Sequence, residues 1–220
     1  MTDLPEPATA AGAEPDWPIV ALVCSRGGLD ALSVVIGGLP ADFPGAVIVL
    51  RHQSPDAPSP LAHILASRGA LPVSIAENHQ PLVPGTVIVV PQRKHLLVAH
   101  DEAVLIDSDG PPPNRPSADL LLTSLALTVA RRSIAVILSG DGHDGATGAT
   151  ALHDFGGIVV ASDEASSEYF GMPGAGIDRD DVVDYAVPLA RIPELLCSLA
   201  ASGRRAPRSE RRAPSLVDDA

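Results

Sequence analysis

The sequence predicts an α/β fold: a doubly wound, mostly parallel sheet with helices on both faces and an inserted antiparallel β-hairpin. Short runs of β-branched and aliphatic residues recur along the chain, as strands buried on both faces require. Segments with helical spacing lie between them, so successive strands cross over and run parallel. One pair of apolar runs is divided only by Asp101-Glu102, too short a link for a crossover, and reads as a hairpin.

The first strand is Ile19–Cys24, followed by a helical pattern over Leu29–Gly37 and a second strand at Ala46–Leu50. A helix over Pro60–Arg68 has Asp56 or Ser59 as its candidate N-cap. Thr86–Val90 reads as a strand after the turn signal Pro84-Gly85. The hairpin pairs Leu96–Ala99 with Ala103–Ile106. Ser117 is the candidate cap of a helix over Ala118–Arg131, which leads into a strand at Ile134–Leu138. Asp144 is the candidate cap of a helix over Ala146–Phe155, followed by a strand at Ile158–Ala161 and a last helix over Pro188–Ala200. No internal repeat is visible. Residues 1–16 are rich in Ala, Pro, Glu and Asp without periodicity, and 203–220 hold five of the fifteen basic residues without a core-forming pattern. Both are expected to be disordered tails, the second one basic.

Composition narrows the function. The 220 residues are 45% apolar and 19% charged, a balance that folds. Fifteen basic against 27 acidic residues give a net charge of -12, and aromatics make up only 3%, which argues against a nucleic-acid partner. No apolar run reaches the ~18 residues of a membrane span, and the N-terminus lacks the basic start and apolar stretch of a secretory signal. Cys24 and Cys197 provide neither a disulfide framework nor a zinc-ligand spacing, so a reducing, cytoplasmic setting is expected.

Ligand crevices in open parallel sheets lie at the carboxyl ends of the strands. Three such ends carry polar residues: Ser25-Arg26-Gly27-Gly28, Arg51-His52, and Ser139-Gly140-Asp141-Gly142-His143-Asp144-Gly145. A hydroxyl, an imidazole and a carboxylate on one edge are the parts of a nucleophile–base–orienter relay. Each has a plainer reading. Ser25 could cap its helix, or its loop could cradle a phosphate, although the spacing is neither GxGxxG nor GxxxxGK[ST]. The loop is not the GxSxG elbow either, because Val23 stands where glycine is needed. His52 could be a hydrogen-bonded structural histidine, and Asp144 could only cap a helix. Asp141, His143 and Asp144 match no common metal-ligand spacing. His63, His79, His95, His100 and His153 read as surface or packing residues.

The stretch from Ala21 to Leu32, with Cys24-Ser25-Arg26-Gly27-Gly28 at its centre, resembles the ASTGG nucleophile loop of the CheB-type chemotaxis methylesterase domain. Leu50-Arg51-His52 resembles that family's strand-end histidine. Further similar stretches are Glu77 with Pro84-Gly85-Thr86-Val87 to Pro91 and His95-Leu96, then Arg115-Pro116-Ser117-Ala118-Asp119 with Ser124. Leu138 to Ala146 is similar to the LTGMGxDGA motif, and Asp163 to Ser167 with Gly171-Met172-Pro173 to the DExSS…GMP signature. The resemblance runs from about Pro18 to Leu199, so 17–202 is expected to form the methylesterase domain.

The resemblance implies a serine esterase that hydrolyses γ-glutamyl methyl esters on chemoreceptor cytoplasmic helices, releases methanol, and deamidates glutamine on the same receptors. The triad it implies is Ser25, His52 and Asp144, with the backbone N–H groups of Arg26 and Asp141 as the oxyanion hole. Gly27, Gly28, Gly142, His143 and Met172 would line the site, with no metal or cofactor. The expected partner is the methylated receptor domain. The family's N-terminal receiver domain does not fit into sixteen leading residues, so the protein is expected to be unregulated by that route or to be controlled by a separate partner.

The resemblance breaks at two positions inside the site: Arg26 stands where the family usually has Thr, and Asp141 where it usually has Met. A carboxylate at ~5 Å from a developing oxyanion opposes it by about 3 kcal/mol at an effective dielectric near 20. That is about what one oxyanion-hole donor supplies. An Arg26–Asp141 ion pair is one expectation; the other is that Arg26 faces substrate carboxylates beside the ester. Two other functions remain compatible with the sequence: a receptor-binding module without turnover, and an esterase for another carboxylic ester.

Overall fold

The computed structural model describes residues 16–53, 59–107, 116–179 and 181–202. The expected tails therefore lie outside the described residues apart from Asp16, as do Asp56 and Arg115.

A seven-stranded sheet forms the centre, in the order β10-β9-β8-β1-β2-β5-β3. Its members are β1 (Ile19–Cys24), β2 (Ala46–Arg51), β3 (Val73–Ile75), β5 (Val87–Val89), β8 (Ser133–Ile137), β9 (Ile158–Ser162) and β10 (Tyr185–Val187), and every pairing is parallel. Side chains of β1 alternate between two apolar layers. Ile19, Ala21 and Val23 pack on the side of α3 (Ala118–Thr128) and α4 (Ala146–Asp154). Val20, Leu22 and Cys24 face α1 (Gly28–Gly38), α2 (Leu61–Ala66) and α6 (Ile192–Ala201). Helices on both faces explain why β1 and β8 are buried along their whole length.

The expected hairpin is β6 (Lys94–Ala99) with β7 (Glu102–Asp107), and the short β4 (Gln80–Pro81) adds a third antiparallel strand at its edge. It packs on α3, burying Leu96, Val98 and Ala103. The sequence reading omitted β3, β4 and β10, whose two or three residues are too few to show a period. It also omitted α5 (Gly171–Ile177), whose GMPGAGI sequence reads as a loop.

After β2, β5 and β3 extend one side of β1, the chain returns to place β8 on the other side. The C-terminal end of β1 is therefore the topological switch point, where a crevice opens between oppositely directed connections. Ser25 is the first residue beyond it.

Candidate active site

Strand register sets Ser25 and His52 on adjacent strand ends, and among the described residues no hydrogen bond joins the Ser25 hydroxyl to the His52 ring. Cys24 pairs with Arg51 across β1 and β2, so Ser25 and His52 each lie one step beyond the same rung. The His52 N–H donates to the Cys24 carbonyl at 3.0 Å and prolongs that ladder. On the other side, the Ser25 N–H donates to the Ser139 carbonyl at 3.0 Å. The nucleophile candidate is thus held between two strands by backbone bonds.

His52 Nε2 lies 2.8 Å from Asp144 Oδ2, with both side chains largely buried. With Nε2–H donating to the carboxylate, a neutral ring keeps its lone pair on Nδ1, the nitrogen left for a proton from substrate or serine. In the Ser-His-Asp template of serine proteases the carboxylate holds Nδ1 instead, so the ring is used by its other edge here.

Asp144 does not cap α4, whose N-cap is Gly145 at φ 98°, without a side-chain bond. That left-handed glycine turns the chain so that the Asp144 carboxylate points at the start of α3. There Oδ2 accepts the Ala118 N–H at 2.7 Å and Oδ1 accepts the Asp119 N–H at 3.1 Å. The Ser117 hydroxyl donates to Oδ1 at 3.3 Å and accepts the Leu120 N–H, making Ser117 the N-cap that the sequence implied. Burial alone would raise the Asp144 pKa; the His52 bond and the Ala118 and Asp119 amides outweigh it and hold the carboxyl below the usual value of 3.8. The helix dipole acts in the same direction.

Asp119 returns the arrangement. Its Oδ1 accepts the N–H groups of Gly145 and Gly148, at 3.0 and 2.7 Å, at the start of α4. The first amides of each helix are thus bound by an aspartate at the start of the other. The sequence reading placed Asp119 only within a motif and missed this role; a carboxylate in the first turn of α3 was the available signal. His95, read as surface or packing, accepts the Ser117 N–H on Nδ1 at 3.0 Å and supports the same corner.

Ser139 was also missed. Its buried hydroxyl donates to the Arg26 carbonyl and accepts the Tyr169 N–H, both at 3.0 Å. Three loops are stitched at that atom. Next to it, a Cβ on Gly140 would come within 2.4 Å of Met172 Sδ and 2.9 Å of both Ser25 Cβ and Ser25 N. Met172, expected to line the site, is 1% exposed, with its sulfur against Gly140 next to Ser25. Gly27 and Gly28 open α1 directly behind Ser25, while Gly142 and His143 lie exposed on the opposite loop.

Arg26 and Asp141 meet at the rim: Nη1 is 3.6 Å from Oδ2, with side chains 66% and 60% exposed. The Arg26 guanidinium also sits 4.4 Å above the Tyr169 ring. The pair expected from the sequence is present, with the modest strength of an exposed ion pair. Among the described residues no acceptor bonds the Arg26 or Asp141 amide, which leaves both N–H groups available beside Ser25. No cluster of His, Cys, Asp and Glu with metal-holding geometry occurs among the described residues. Cys24, one residue from the nucleophile candidate, is no competitor: burial pushes its thiol up to about 12, against a smaller opposing effect of Arg51.

A family model described as CheB methylesterase matches residues 20–196. The chain is 39% identical over 195 residues to a protein-glutamate methylesterase/protein-glutamine glutaminase 2 of Anaeromyxobacter dehalogenans, covering 88% of this chain and 55% of that one. It is 38% identical over 190 residues to the protein-glutamate methylesterase FrzG of Myxococcus xanthus, covering 86% and 56%. The chain spans about half the length of these curated relatives. Among solved structures, the Thermotoga maritima CheB methylesterase catalytic domain superposes with a TM-score of 0.78 at 35% identity, covering 83% of this chain and 98% of that one.

Proposed function

Because the chain belongs to the CheB methylesterase family, as its catalytic domain, we propose that it hydrolyses γ-glutamyl methyl esters on the cytoplasmic helices of methylated chemoreceptors and releases methanol. Deamidation of glutamine on the same helices is the second activity of this reading, in keeping with the double name of its relatives. Such a substrate implies a cytoplasmic location; no helix among the described residues is long and apolar enough to cross a membrane.

The observation that carries the proposal is the 2.8 Å His52–Asp144 bond on the strand end adjoining Ser25. Ser25 Oγ attacks the ester carbonyl while His52 Nδ1 takes its proton. Asp144, kept ionised by the start of α3, orients the ring and stabilises its cation. The Arg26 and Asp141 amides receive the oxyanion. His52 then returns the proton to the departing methoxide, and water repeats the cycle on the acyl-serine. The Asp141 carboxylate opposes the oxyanion, and the neighbouring Arg26 cation offsets it.

Wild-type protein should release methanol from membranes carrying methylated chemoreceptors, and Ser25→Ala should not. Hydrolysis of generic esters without methanol release from receptors would point to another carboxylic ester. Receptor binding without hydrolysis of either would point to a binding module.

A further inference from the structure

The hydrolytic steps use the backbone N–H of Arg26 and the charge of its guanidinium against Asp141, but none of the side chain's N–H donors. Its carbonyl is fixed by Ser139 at 3.0 Å, so the side chain departs from an anchored point one residue from Ser25. The guanidinium is stacked over Tyr169 at 4.4 Å and drawn toward Asp141 at 3.6 Å. That separation exceeds a hydrogen bond, so Asp141 orients the group by charge without saturating it. Among the described residues no acceptor bonds Nε or Nη2 of Arg26. The surroundings are otherwise acidic: Asp141 lies on one side, and Glu168 Oε2 is 2.8 Å from where a Cβ on Gly27 would stand.

We propose that Arg26 is a specificity-determining residue, whose guanidinium binds a carboxylate on the substrate close to the esterified glutamate. This rests on the esterase reading given above. On a helical substrate, residues three or four positions from the ester share its face at ~5–6 Å, and Arg26 is the residue next to Ser25. A planar fork held on an aromatic ring suits a carboxylate, which it can take through two parallel N–H groups. The rim sets the sign of the preference. With the guanidinium present an acidic neighbour is attracted, and without it Asp141 and Glu168 remain to repel the same group.

The test uses two methylated receptor fragments that differ only in Glu or Gln three and four residues from the methylated glutamate. The ratio of their kcat/KM values for methanol release is compared among variants, so that changes in overall activity cancel. Wild type should favour the Glu fragment about three- to fivefold, the upper part of the range of an exposed ion pair. Arg26→Gln should bring the ratio to one or below, Arg26→Lys should keep part of it, and Asp141→Asn should raise it. A wild-type ratio of one or less, or a ratio unchanged in Arg26→Gln, overturns the proposal while the esterase reading stands. Methanol release from neither fragment above the Ser25→Ala background overturns the esterase reading, and this proposal with it.

Discussion

Replacing Asp119 by alanine probes the exchange of caps between α3 and α4. Its Oδ1 is the acceptor for the N–H groups of Gly145 and Gly148, both in buried residues, and alanine leaves the two amides unpaired. An unsatisfied buried donor costs about 1–3 kcal/mol, so the pair amounts to about 3 kcal/mol with partial rehydration. For a domain of this size that corresponds to a melting temperature lower by about 6–12 °C. Asp119→Asn retains a carbonyl oxygen and should lose only about 1 kcal/mol, or about 2–4 °C. Gly145 adjoins Asp144, so Asp119→Ala should also lower kcat for methyl-ester hydrolysis while KM changes little. Thermal unfolding followed by circular dichroism at neutral pH gives the first quantity, and methanol release gives the second. If the alanine variant melts within about 2 °C of the parent, or if Asn and Ala are equally harmful, the interlock does not operate as described.

Three other perturbations test neighbouring parts of the site. The Asp144 carboxyl is held below its ordinary 3.8, so its contribution to stability is fully present above that value and is lost as the pH falls through the depressed native value. Denaturant titrations between pH 6 and ~3 should therefore show a steeper loss of stability in the parent than in Asp144→Asn. Gly140→Ala should destabilise by about 1–3 kcal/mol and lower activity, because its Cβ would meet Ser25 backbone at 2.9 Å. Gly142→Ala, with nothing within 4 Å but a φ of 88°, should cost only about 1 kcal/mol in thermal unfolding.

The strands that form the site were legible in the sequence because β1, β2, β8 and β9 are buried on both faces and their residues say so continuously. The same reading located Ser25, His52 and Asp144 at strand ends, although their roles as a triad came from resemblance to a family rather than from spacing. Asp144 shows where one-dimensional reading stops. Its place before α4 suggested a cap for that helix, yet the φ of 98° at Gly145 turns its carboxylate to α3. Capping between helices depends on their packing, which no local pattern carries. Ser139 escaped for a similar reason, since its hydroxyl acts on Arg26 and Tyr169, 113 and 30 residues away in sequence. The GMPGAGI helix escaped because three glycines and a proline oppose helix propensity, and tertiary contact prevails: the Met172 N–H bonds the Gly140 carbonyl at 2.8 Å. Arg26 and Asp141 were paired correctly because their charges are opposite and their loops follow adjacent strands.

The most direct measurement is a double-mutant cycle on kcat/KM for receptor methyl-ester hydrolysis, using Ser25→Ala, His52→Ala and the double variant. A serine whose proton passes to the imidazole predicts that each single change costs about 10⁴-fold or more and that the second change adds nothing. Losses that multiply, or a His52→Ala protein within about tenfold of the parent, would mean that the two side chains do not act as one relay.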